Sequence, residues 1–134
     1  MKGNNRKSEV ANDMSYNSRF IVDVAKLLIQ YAVNGKLVTY KELSDCFGNA
    51  IAPRNTGGPI GVISEACSQA GLPLLSAIVV NSSTGMPGEG FFILFKELKG
   101  EMQLKPWDEW QQECEKIWVV KDWEPLMDAL NGAQ

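Results

Sequence analysis

Apolar positions recur at three- and four-residue intervals through the first half of the chain and again near its end, and they run consecutively in between. From Asn17 or Ser18, either of which suits an N-cap, the spacing of Phe20, Ile21, Val24, Leu27, Leu28 and Tyr31 predicts a helix to Val33 with one buried stripe. Asn34 and Gly35 end it, and Leu37 with Val38 is long enough only for a β-bridge. Thr39 followed by Glu42 forms a capping-box pattern, so a short helix follows, with Leu43, Cys46 and Phe47 inward and Gly48 closing it. Pro59 fits a first helical turn, and Ile60, Ile63, Ala66, Cys67 and Ala70 recur at helical spacing until Gly71 and Pro73 stop the helix.

The pattern then changes. Leu74–Val80 is a short apolar run rich in β-branched residues and bounded by Asn81-Ser82-Ser83-Thr84-Gly85, which predicts a buried strand. Phe91–Phe95 is predicted as its hairpin partner, because Met86-Pro87-Gly88-Glu89-Gly90 is too glycine-rich to continue a ladder. Pro106 opens another amphipathic helix, with Trp107, Trp110, Cys114, Ile117 and Trp118 as its apolar set, and a last helix runs from about Asp122 to Asn131-Gly132. Residues 1–16 are polar and without period, which suits a flexible arm, leaving 17–134 as a single domain. This order defines an α+β class with a winged helix-turn-helix core and two additional C-terminal helices. Thr39–Phe47 and Pro59–Ala70 would be the helix-turn-helix, and Asn81–Gly90 the wing.

Composition narrows the function. No apolar run approaches the ~20 residues that span a bilayer, and the N-terminus lacks a signal-peptide core, so the expectation is a cytoplasmic protein without a membrane partner. Histidine is absent, which excludes serine- and cysteine-hydrolase dyads of the usual kind and most zinc sites. Cys46, Cys67 and Cys114 fall at apolar helical positions without metal-like spacing and read as small buried hydrophobes. No enzyme activity, metal or cofactor is expected. Charge is uneven: residues 97–134 carry nine acidic against four basic groups, and no Lys/Arg cluster appears anywhere.

The segment 35–43, GKLVTYKEL, followed by a glycine-bearing helix, Leu72-Pro73-Leu74-Leu75 and a Val-Val-Asn-Ser turn, resembles the C-terminal domain of O6-alkylguanine-DNA alkyltransferases and the non-catalytic alkyltransferase-like proteins. The resemblance covers about 50 residues. It implies a recognition helix over 59–70 and a strand that in the family holds the alkyl-accepting cysteine. Here that strand reads Leu75-Ser76-Ala77-Ile78-Val79, without thiol, histidine or arginine, so the acceptor chemistry is gone. The family's intercalating arginine has one counterpart, Arg54, in the loop before the helix.

Two functions follow as expectations. The first is a non-enzymatic protein binding duplex DNA in the alkyltransferase-like manner, through Arg54, through Ser64, Ser68 and Gln69 on a helix face that also holds Gly61 and Glu65, and through wing residues Ser82, Ser83 and Thr84. The alternative is an acidic module for a basic protein partner, such as an inhibitor or immunity protein of a phage-defence or bacterial competition system. It would use Trp107, Asp108, Glu109 and Glu113, where tryptophans stand beside carboxylates.

Overall fold

The structure, a computed structural model, describes residues 18–47 and 58–132. The expected N-terminal arm and Arg54 lie outside these residues. Six helices, one 3-10 turn and a two-stranded sheet are present among them, a mostly helical arrangement compatible with the α+β class. In order they are α1 (Ser18–Val33), β1 (Val38–Thr39), α2 (Tyr40–Phe47), α3 (Pro59–Gln69), the 3-10 turn Leu75–Ile78, β2 (Val79–Val80), α4 (Glu89–Lys99), α5 (Pro106–Trp118) and α6 (Glu124–Gly132).

Local signals set most boundaries. Gly35 and Gly71 adopt φ of 66° and 76°, and each closes a helix with paired bonds from the two residues past its end: Gly35 N–H to Ala32 and Lys36 N–H to Tyr31, Gly71 N–H to Ser68 and Leu72 N–H to Cys67. The capping box forms as well. Thr39 Oγ1 accepts from the Glu42 amide at 3.0 Å, and Glu42 Oε1 accepts from the Thr39 amide at 2.9 Å.

The hairpin does not form. Phe91–Phe95 lies inside α4, and β2 pairs instead with β1, in parallel, with Val38 opposite Val79 and Thr39 opposite Val80. The bridge allowed for at Leu37-Val38 is therefore the whole partner of β2, displaced one residue onward. Helix wins at 91–95 because apolar spacing continues past the run: Phe91, Phe95 and Leu98 share a face that covers the core. Glu89 in the first turn and Lys96 and Lys99 in the last complement the helix dipole. Only Val79–Val80 of the expected strand is extended, although all of Leu74–Val80 is buried.

The 3-10 turn Leu75–Ile78 threads the centre of the molecule, with α3, α1 and α5 packed around it and α6 lying across α1 and α3. Leu28, Leu43, Ile63, Leu74, Leu75, Ile78, Ile117 and Leu126 are all but inaccessible and form one continuous core. Of the three cysteines, Cys67 and Cys114 are buried as expected, but Cys46 is exposed near the end of α2.

Candidate functional site

Two surfaces were expected to carry function, and the structure redraws both. On α3, Gly61 and Ser64 face inward rather than toward a ligand. Ser64 is inaccessible: its hydroxyl donates to Ser76 Oγ at 2.7 Å and accepts the Ser76 amide at 3.1 Å. An irregular central turn exposes backbone donors to an apolar core, and a serine from the neighbouring helix satisfies one of them. What α3 shows to solvent is Val62, Glu65 and Gln69, with Ser68 half-buried. Ser82, Ser83 and Thr84 are exposed, on a turn closed by Asn81: its amide donates to Met86 O at 2.8 Å and its side-chain oxygen accepts the Ser83 amide at 2.8 Å. Thr84 Oγ1 is itself engaged with Met86.

The acidic helix is corrected in the same way. Trp107 (46% exposed) and Asp108 stand on the surface, but Glu109 and Glu113 are buried. Glu109 turns back to accept the amides of Gln103 and Leu104 just before α5, where the helix dipole also favours a carboxylate. Glu113, 1% exposed, accepts the Leu74 amide at 2.7 Å and pairs with Lys99 at 3.2 Å. The expected i,i+3 partner, Lys116, stands farther off at 3.9 Å. Both carboxylates are structural staples, each satisfying backbone amides that no helix or sheet covers.

With those acids withdrawn, the solvent face of α5 takes a different shape. Exposed Trp107 and Gln111 and half-buried Trp118 follow one another at helical spacing above buried Cys114, and Asp108 and Glu115, seven residues apart, edge the same stripe. Trp110 is held by its Nε1–H, which donates to Ala77 O at 2.8 Å, and it meets Trp107 edge to face at 5.0 Å between ring centroids. Leu37, from the turn before β1, completes a cleft of about 250 Å³ with Trp110, Gln111, Cys114, Glu115 and Trp118. Leu37, Gln111 and Trp118 lie outside the contact set expected from the sequence, whereas Glu115 is one of the acids neighbouring it. Gln111 and Trp118, at i+4 and i+11 from Trp107, share its helix face, a relation legible in the spacing alone.

A second opening lies between α3 and α4, where Val62, Glu65, Ile93, Leu94 and Glu97 line a cleft of about 230 Å³ over Gly61 and Gly90. Behind it is a cavity of only about 10 Å³, room for one water at most, lined by Tyr40, Ile60, Ser76 and Phe91 among others. Tyr40 also meets the backbone of Gly88. Burial pushes its phenol above the ordinary value, and the Gly88 amide draws it partly back.

Reactive groups are quiet. Burial pushes the thiols of Cys67 and Cys114 up to about 12, with Glu113 reinforcing the shift in both. The Ser64 hydroxyl is committed to Ser76, donating to its Oγ and accepting its amide. Among the described residues no three histidine, cysteine or carboxylate side chains gather in a way that could hold a metal ion, and no helix is long and apolar enough to cross a membrane. No family model, curated protein or solved structure matches the chain.

Proposed function

We propose that the protein is a non-enzymatic interaction module for a basic protein partner, the behaviour of an inhibitor or immunity protein in a phage-defence or competition system. The observation that carries this reading is the α5 face: a cleft walled by Trp110 and Trp118 and edged by Glu115, with exposed Trp107 and Asp108 on the same stripe. Tryptophan is the side chain that most often anchors an interface, and its ring face attracts lysine and arginine. Carboxylates at the margin steer a cationic surface toward it. The tryptophan need not reorganise to receive a partner, because Trp110 is already fixed to Ala77.

A second reading is a DNA-binding protein of the alkyltransferase-like kind, without the hairpin that would have framed a wing. One observation favours it. The two segments that carry the resemblance, 35–43 and 72–80, run side by side through the β1–β2 pairing, and Tyr40 of the first meets Ser76 of the second at one cavity. In this reading the contacts are Gln69, Ser68, the Ser82–Thr84 turn and Arg54.

The experiment compares two baits, wild type and the double variant D108K/E115K, in crosslinked capture from native cells, alongside a labelled-duplex titration at 50 and 200 mM salt as set concentrations of the order that discriminates phosphate binding. Basic proteins retained by wild type and lost by the variant uphold the interaction reading. Equal capture by both baits overturns it. Duplex binding that weakens with salt and with Arg54→Ala moves the conclusion to the second reading.

A further inference from the structure

We infer that the α3–α4 cleft is a separate docking groove, and that its occupant is a segment of a partner protein presenting an apolar side chain between lysines or arginines. It goes beyond the α5 reading, and the two sites share no lining residue. Three observations converge on that occupant.

The first is exposed apolar surface on both walls. Val62 on α3 is 38% exposed and Ile93 on α4 is 53% exposed, and with half-buried Leu94 they line one cleft of about 230 Å³. Two large aliphatic side chains left open on facing helices are a cost that a bound apolar group removes.

The second is charge. Glu65 from α3 and Glu97 from α4 both line the cleft, both are exposed, and no lysine or arginine is among its described lining residues. Lys99 lies on the opposite flank of α4, where it is tied to Glu113, and Lys96, three residues after Ile93, stands beside the cleft without lining it. A cation arriving over the apolar floor therefore meets a carboxylate from either wall. The same pair repels nucleic-acid phosphates and anionic lipid. It also disfavours a second copy of this chain, because a two-fold contact sets like patch against like patch and brings four carboxylates together.

The third is rigidity. Gly61 and Gly90 form part of the floor, and Ser64, three residues after Gly61, is locked to Ser76 at 2.7 Å, so the α3 wall is anchored to the central turn. A groove preformed in this way loses little order on binding.

The test uses the full chain as bait for a random-peptide display library, followed by titration of the enriched peptides against wild type, E65K/E97K, Ile93→Arg and D108K/E115K. All substituted side chains are exposed, and circular dichroism checks that each variant keeps its helices. Support is an enriched set with an apolar residue flanked by Lys or Arg, whose Kd weakens at least tenfold in E65K/E97K and in Ile93→Arg but is unchanged in D108K/E115K. The proposal is overturned if no peptide enriches, if the enriched set lacks basic residues, if E65K/E97K binds equally well, or if duplex DNA competes the peptides away by binding α3. Loss confined to D108K/E115K overturns the groove while leaving the α5 reading standing; the reverse pattern supports the groove alone.

Discussion

Removing the Glu113 carboxylate gives the most direct measure of how the core is held. In Glu113→Ala the Leu74 amide loses its acceptor, 2.7 Å away, and Lys99 loses its partner at 3.2 Å. A hydrogen bond to a charged group contributes about 1.5–3 kcal/mol, and breaking a fully buried ion pair costs about 3–5 kcal/mol. Lys99 is 29% exposed and recovers some hydration when abandoned, which trims the second figure. Lys116, 60% exposed and at 3.9 Å, adds little. The expected loss is therefore about 3 kcal/mol, a large share of the ~5–15 kcal/mol that holds a domain together. Glu113→Gln keeps the shape and an acceptor for Leu74 and gives up only the charge, so it should lose about 1 kcal/mol. Urea denaturation followed by tryptophan fluorescence reads both, because at a slope of ~1–3 kcal/mol/M the alanine variant moves the midpoint by one molar or more at unchanged slope. If Glu113→Ala shifts the midpoint no further than exposed Glu115→Ala does, the staple assignment is wrong.

Two other measurements probe the same core. Ser64→Ala leaves the buried Ser76 amide without its acceptor and should lose about 2 kcal/mol, whereas Ser76→Ala keeps that bond and should lose less than half as much; equal losses in thermal melts would mean the amide finds water. The Cys67 thiol is pushed up from 9.0 to about 12 by burial. From about pH 9 upward the unfolded chain releases that proton while the folded chain keeps it, so stability present below pH 9 falls toward pH 12, by at most ~1.4 kcal/mol per pH unit. Midpoints at pH 8 and 10 should therefore diverge more in wild type than in Cys67→Ala, and parallel slopes would refute the assignment.

The burial of Ser64 and Glu113 was legible in their spacing. Ser64 stands four residues after Ile60 and three before Cys67, and Glu113 three after Trp110 and four before Ile117. Both sit inside apolar stripes, where a polar side chain signals a buried acceptor as readily as a ligand contact.

Helix ends and facing were decided locally: capping boxes, prolines at first turns and glycines at positive φ depend on neighbours a few residues away, so α1, α2, α3 and α5 are written into the chain. The run from Leu74 to Phe95 was not. Five consecutive apolar residues satisfy a buried strand and a buried helix equally, and the choice fell to distant partners. β1 was already beside Val79 and Val80, so no second strand was needed, and Phe91–Phe95 gained more by coiling against the core. The same tertiary placement carried Glu113 to a backbone amide 39 residues away and left Glu115 at the edge of a tryptophan cleft. Sequence spacing alone assigns neither, because each depends on which irregular segment the fold lays against α5.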